Sequence, residues 1–285
     1  MSITQTKFAT QARTWLIISG LMALFIGLGY MFGGSAGLLL FALIAIVFNL
    51  VMFWYSDKLA LKASKARPVE QSEAPELYRD IEEIAGRAGV PMPRVYLIPS
   101  EQPNAFATGR SPKHSAVAVT EGITKLLSED ELRGVIAHEL AHINNRDILT
   151  QSVASAIGAM ITYLAYFFLW FGGDDESPLG LIGSLALVLL APLAASLIQL
   201  AVSRQREYAA DATGAQFCGN PESLASALLR LEEGAKAMPM QVNQATEPLY
   251  IVKPFEGGGI ASLFSTHPPI EERVRRLRQM RPSLG

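Results

Sequence analysis

The chain has 285 residues, of which 50% are hydrophobic and only 18% are charged, and its formal net charge is −2. This composition, with a mean hydropathy of +0.25, is too apolar for an ordinary soluble domain of this size. The one cysteine, Cys218, excludes an intrachain disulfide and indicates a reducing compartment. No basic cluster beyond those beside the apolar stretches indicates a nucleic-acid partner, and the apolar stretches themselves predict contact with a lipid bilayer.

Four uncharged stretches have the length of membrane-spanning helices. They lie near Trp15–Phe32, Leu38–Tyr55, Val153–Phe171 and Leu179–Val202, and each approaches the ~20 residues that cross a ~30 Å hydrocarbon core. The first is too long for a cleaved signal peptide, and no Ala-x-Ala-like site follows it. For the third and fourth stretches, a buried helical hairpin of a soluble core is the alternative.

The basic residues predict the orientation of these stretches. Lysine and arginine lie before the first, after the second, before the third and after the fourth, whereas the two short connections within the pairs contain neither. The positive-inside rule therefore places both termini and the soluble part in the cytoplasm.

These boundaries predict four segments of the chain. Residues 1–56 form a two-span membrane hairpin, and residues 57–147 form the first half of a cytoplasmic domain. Residues 148–203 form a second membrane hairpin, and residues 204–285 complete the interrupted domain. The expected fold class is mainly α, in the α+β sense, with a small β-sheet.

The sequence pattern of the first soluble segment predicts a helix, three short strands and a second helix. A helix opens at Pro75 and ends before Pro91. Strands are predicted at Val95–Ile98, Asn104–Gly109 and Ala116–Thr120, and the last two are joined by a turn.

The second helix contains the motif His138-Glu139-Leu140-Ala141-His142. Ser128 and Glu131 form a capping-box pattern at its start, and apolar residues at helical spacing predict a core-facing stripe (Leu132, Ile136, Leu140 and Ile143). Two imidazoles one turn apart can chelate a single zinc, and Glu139 between them can deprotonate a water. A chance occurrence on an ordinary helix is the alternative.

A catalytic zinc generally has three protein ligands. No third histidine follows His142 at short spacing, so the candidates are Glu207 and Asp211, which lie four residues apart on a helix expected to run to Phe217. One carboxylate can reach the metal and the other can orient a ligand histidine. An exposed Glu–Asp pair is the alternative.

The remaining sequence predicts two helices and a long loop. One helix starts at Asn220-Pro221, and residues 238–266 lack clear periodicity. Pro268-Pro269 opens a terminal helix whose apolar face points inward and whose arginines are expected to be mostly solvated (Arg273, Arg275, Arg276 and Arg278).

The motifs together resemble those of the HtpX-like membrane zinc proteases, relatives of the type I CAAX prenyl proteases. The resemblance lies in His138-Glu-x-x-His142, in Ser203-Arg-Gln-Arg-Glu207-Tyr-x-Ala-Asp211, and in Thr266-His267-Pro-Pro-x-x-x-Arg273. It covers essentially the whole chain. It implies a gluzincin-type fold, four transmembrane helices, a bacterial inner-membrane location and cleavage of misfolded membrane proteins in a stress response.

The expected activity is therefore that of a zinc metalloendopeptidase with one Zn²⁺ per subunit. His138, His142 and Glu207 are the expected ligands, Glu139 the catalytic base and Asp211 the partner of a ligand histidine. His267 is either an oxyanion or regulatory group near the metal or a helix-entry residue. Polypeptide substrates, unfolded or membrane-anchored, are expected to pair with the strand residues Asn104, Ala105, Phe106, Ala107 and Thr108.

Two other functions remain as alternatives. A membrane scaffold or adaptor would retain the protease fold without cleaving, which loss of Glu139 would favour, yet Glu139 is present. A zinc transporter would carry histidine or carboxylates within its spans, and the four stretches contain none.

Overall fold

The computed structural model describes residues 3–148, 204–237 and 268–280. The chain divides into two compact units, Met1–Ser56 and Asp57–Gly285. The predicted third and fourth spans, the loop 238–266 and His267 lie outside the described residues.

Helix α1 runs over Ile3–Ala63 and is interrupted at Gly33 and Gly34. Gly34 has φ 55° and ψ −140°, a conformation that glycine adopts without strain. The interruption falls where the sequence separates the first two apolar stretches. Within the described ranges, no helix meets both the length and the hydropathy needed to cross a membrane.

The sheet has four strands, and its order brings β3 to one edge. Strands β1 (Arg67–Pro68), β2 (Arg94–Ile98), β3 (Ala105–Gly109) and β4 (Ser115–Thr120) lie in the order β1-β2-β4-β3. Strands β2 and β4 are parallel, and the other two pairs are antiparallel. The strands predicted from the sequence are confirmed, and the two-residue β1 is an addition.

The turn between β3 and β4 depends on Gly109. Its φ is 144°, and a Cβ there would lie 2.8 Å from Cα of Ser115. Only glycine fits this conformation and this space. The turn sets the register in which Ala107 lies opposite Val117.

The helices of the second unit pack around a central one. They are α2 (Pro75–Ala88), α3 (Glu121–Leu126), α4 (Glu129–Asn145), α5 (Arg204–Cys218), α6 (Pro221–Ala237) and α7 (Ile270–Arg278). Helix α4 contacts α2, α5, α6 and β3. It therefore lies at the centre of the described part of this unit.

Local sequence explains where α4 begins and what it buries. The capping box is confirmed, because the Ser128 hydroxyl accepts from the Glu131 backbone N–H and the Glu131 carboxylate accepts from the Ser128 N–H. The stripe residues Ile136, Leu140 and Ile143 are fully buried. Burial of each such side chain stabilises the fold by about 1.5–3 kcal/mol.

Candidate metal centre

Three buried donor side chains converge where α4 meets α5. The Nε2 atoms of His138 and His142 lie 3.2 Å apart. Glu207 on α5 places one carboxylate oxygen 3.6 Å from Nε2 of His138 and the other 3.5 Å from Nε2 of His142. All three residues can therefore offer a ligand atom to one ion, since these atoms lie within 4.8 Å of one another.

Gly214 explains how α5 comes this close to α4. A Cβ at Gly214 would lie 2.8 Å from N of His138 and 2.9 Å from its Cα. Gly214 is two helical turns beyond Glu207, so both residues face α4. The close backbone contact at Gly214 thus brings the Glu207 carboxylate to the imidazoles.

The outer nitrogens of the two imidazoles each face a carboxylate. Nδ1 of His138 lies 3.0 Å from Oδ1 of Asp211, and Nδ1 of His142 lies 3.3 Å from Oδ2 of Asp147. A carboxylate at Nδ1 favours the tautomer that carries its proton there. The Nε2 lone pairs then point into the space that the two rings share with Glu207.

This donor set fits a divalent cation such as Zn²⁺. Two imidazole lone pairs and a carboxylate at such short separation repel one another unless positive charge lies between them, and His₂Glu is a common ligand set of catalytic zinc. Burial lowers the pKa of His138, but Asp211 and Glu207 outweigh it and raise the pKa to about 9. The carboxylates on both sides of the His138 ring therefore favour positive charge on or beside it.

Glu139 lies beside the three donors and is tied to the sheet. Its Oε2 accepts a 2.8 Å hydrogen bond from the backbone N–H of Ala107 in β3. Burial raises the pKa of Glu139 above its ordinary value, although His138, His142 and the Ala107 N–H act in the opposite direction. The carboxylate is thus fixed in orientation and disposed to hold a proton.

The expectation that Arg273 is solvated is wrong. Arg273 is fully buried, and its guanidinium donates to both oxygens of Asp211 at 2.7 and 2.9 Å. Its Nη1 also lies 3.9 Å from Glu207. Burial raises the pKa of Asp211, but Arg273 and His138 lower it more, to about 2. Arg273 therefore keeps Asp211 ionised behind His138.

Asp147 is a site residue that the sequence analysis missed. It lies directly after the end of α4, is buried and faces His142. The available signal was a carboxylate five residues beyond the second motif histidine. Recognising it required knowing that Arg146 adopts a left-handed conformation (φ 63°, ψ 29°) that turns the chain back.

The proposed substrate strand occupies the edge of the sheet beside Glu139. Asn104 precedes β3, and its N–H donates to Oγ1 of Thr120. Ala105, Phe106, Ala107 and Thr108 belong to β3, and all are buried. Binding of a peptide by this strand stays a prediction, as does any role of His267.

Comparison with known proteins places this geometry in a family. The family model described as Peptidase family M48 matches residues 71–281, which include every residue of the centre. The chain belongs to peptidase family M48. It is therefore a metallopeptidase, and the His138, His142 and Glu207 cluster is the candidate position for the metal of this M48 chain.

Curated relatives match this M48 chain over nearly its whole length. A "Protease HtpX homolog" of Pelotomaculum thermopropionicum is 52% identical over 94% of this chain and 98% of the relative. Proteins of the same description from Persephonella marina and Thermococcus kodakarensis are 51% and 49% identical, over 96% of this chain and 98% and 97% of the relatives.

The crystal structure of S. mikatae Ste24p has the same fold. It matches with a TM-score of 0.54 and 21% identity, over 96% of this chain. This chain spans 66% of that structure's length.

Proposed function

We propose that this M48 peptidase is a membrane-anchored, zinc-dependent endopeptidase that cleaves misfolded or damaged membrane proteins on the cytoplasmic side. Its role would be protein quality control under stress. The observation that carries the proposal is the convergence of His138, His142 and Glu207 beside a buried, oriented Glu139.

The residues of the centre divide the chemistry between them. His138, His142 and Glu207 would hold the zinc, which supplies Lewis-acid activation when bound. Glu139 accepts the proton of the attacking water and passes it to the leaving amine. Its raised pKa suits both steps, because the carboxyl must hold the proton between them.

The substrate would bind as an extended strand along β3, which is the edge strand of the sheet among the described residues. Alternate residues of a strand direct their N–H and C=O groups to the same side, so Ala105 shares the outward side of Ala107. The N–H of Ala107 points to Glu139 rather than to β4. A peptide paired along this side would place its backbone next to the base, and such pairing depends little on sequence.

Membrane anchoring is supported by the sequence and by α1. Residues 15–55 contain no Asp, Glu, Lys or Arg. On α1, the large apolar side chains Leu39, Leu43 and Leu50 are each more than half exposed, which is costly in water and favourable in lipid. The basic residues flanking residues 15–55 support a cytoplasmic active site.

The test is proteolysis by the purified full-length protein in detergent with an unfolded membrane protein as substrate. We expect cleavage with zinc, loss of cleavage with a chelator, and recovery when zinc is restored. Glu139→Gln should bind zinc normally and cleave about 10²–10⁴-fold more slowly. Wild-type protein that binds zinc and substrate without cleaving would favour the scaffold alternative instead.

Topology is tested separately by labelling intact cells. Single cysteines replace Asp174 or Lys65 in a Cys218→Ser background, and an impermeant maleimide is added outside. The proposal requires labelling at residue 174 and none at residue 65. An unlabelled cysteine at 174 would mean that residues 148–203 do not cross the membrane.

A further inference from the structure

Asp147 lies in the same relation to His142 as Asp211 does to His138. Each aspartate places a carboxylate oxygen near Nδ1 of its histidine, at 3.3 Å for Asp147 and at 3.0 Å for Asp211. Each is almost fully buried. Each of the two histidines therefore has a carboxylate at Nδ1, the ring nitrogen that faces away from Glu207.

The chain reaches this position through the end of α4. Arg146 is exposed and has a left-handed backbone conformation. Its backbone N–H donates hydrogen bonds to the carbonyls of His142 and Ile143. Without this turn, the residue after Arg146 would continue along the helix axis, away from the ring of His142. The turn instead directs Asp147 back to Nδ1.

Cations accompany both aspartates. Arg273 is paired with Asp211. Burial lowers the pKa of Arg206, and the negative charges of Asp147 and Glu207 act in the opposite direction. A guanidinium near each aspartate therefore offsets part of the cost of burying a carboxylate on both sides of the centre.

We propose that Asp147 is a positioning residue for the metal: it accepts the Nδ1–H of His142, and so fixes the tautomer and the ring orientation that turn Nε2 toward the ion. The inference rests on the proposed function, because it assigns a metal to the three converging donors. It adds a carboxylate to His142 that neither the HExxH motif nor the Glu207–Asp211 pair supplies.

The test measures zinc affinity by competition with a chromophoric chelator. All variants carry Glu139→Gln, so the measurement does not depend on cleavage. Partners of this kind contribute about 10–100-fold to metal affinity. We expect about tenfold weaker binding in Asp147→Asn, whose amide oxygen still accepts the Nδ1–H, and up to about 100-fold weaker binding in Asp147→Ala.

Asp80→Asn is the matched control. Asp80 is equally buried and paired with Arg133 between α2 and α4, away from the centre. This variant should lower the melting temperature without changing zinc affinity. If the Asp147 variants bind zinc as the Glu139→Gln protein does, or lose no more affinity than Asp80→Asn, the inference is wrong.

A second measurement reads the tautomer directly. In zinc-loaded protein with ¹⁵N-labelled histidine, the Nδ1 proton of His142 should be protected from exchange. Asp147→Ala should remove that protection for His142 and leave His138 unchanged; equal behaviour of both histidines would contradict the proposal. Absence of any zinc binding would instead overturn the proposed function and this inference together.

Discussion

The backbone N–H of Ala107 donates a 2.8 Å hydrogen bond to Oε2 of Glu139. The edge strand of the described sheet is thereby joined to α4 at the carboxylate that we propose as the catalytic base. Two alternate positions of β3, Ala105 and Ala107, therefore have different expected roles. Ala107 orients the proposed base, whereas Ala105, on the same side of the strand, is the proposed contact for the substrate.

Proline substitution separates these roles because it removes the backbone N–H. We expect Ala107→Pro to lower kcat, since Glu139 loses its hydrogen bond, and Ala105→Pro to raise KM. Steady-state kinetics on a peptide measures both, with zinc content checked in each. Ala107→Gly retains the N–H and should keep most of kcat. Unchanged kinetics in both proline variants would mean that β3 does not line the cleft.

The two carboxylates of α5 should differ in metal titrations. Glu207→Ala removes a proposed ligand and should abolish tight zinc binding. Asp211→Asn should weaken binding about 10–100-fold and also lower the melting temperature, because the buried Arg273 loses the charge of the carboxylate that accepts two of its hydrogen bonds. A larger loss of affinity at Asp211 than at Glu207 would show that the roles are reversed.

A single methyl group at Gly214 should separate the two ligand-bearing helices. Gly214→Ala places a Cβ 2.8 Å from N of His138, and overpacking of this kind costs about 1–3 kcal/mol. We expect a lower melting temperature together with weaker zinc binding. Gly86→Ala is the control, because no atom lies within 4 Å of a Cβ there, and it should raise stability by about 0.5–1 kcal/mol. Normal zinc affinity in Gly214→Ala would contradict this role of the helix contact.

The start of α4 should show a pH-dependent contribution to stability. Burial raises the pKa of Glu131. The hydrogen bonds of its carboxylate to Ser226 and Ser128 and the charge of Arg230 outweigh burial, so the pKa lies below its ordinary value. A carboxyl with a lowered folded pKa stabilises the fold above its unfolded pKa, and the contribution is lost as the pH falls.

Glu131→Gln measures this contribution, since glutamine retains the capping geometry without the charge. The variant should melt below the wild type at pH 7, and the difference should shrink as the pH falls below 4.5, the ordinary value of a glutamate. Glu82→Gln, at an exposed position of α2, should show little difference at either pH. A constant difference across the range would exclude the charge of Glu131 as the cause.

The sequence is sufficient to predict those features that depend on local spacing. The capping box joins residues three apart, and the imidazoles of His138 and His142 share a face because they are one turn apart. Strands β3 and β4 follow from their small and β-branched residues around a glycine turn. Glu207 and Asp211 required one further step, namely that a zinc site needs a third ligand.

The features that sequence reasoning missed depend on tertiary packing. Arg273 precedes Val274 on α7 and is buried. Its buried guanidinium is explained only by the hydrogen bonds that it donates to Asp211 of α5. The position of Asp147 depends on the left-handed backbone conformation of Arg146, which residue propensities do not predict for a residue other than glycine. In both cases a carboxylate or a cation is buried because its partner comes from another part of the chain.

The order of these residues along the chain has a consequence for biosynthesis. The candidate ligands on α4 are made first, Glu207 follows only after the segment 148–203, and Arg273 comes 62 residues after the Asp211 that it holds. A ribosome-bound chain that has released only α4 has two histidines and the proposed base but not Glu207, the proposed third ligand. Proteolytic capacity therefore arises only after most of the polypeptide has been synthesised, and the nascent protein has no working protease with which to cut itself or its neighbours.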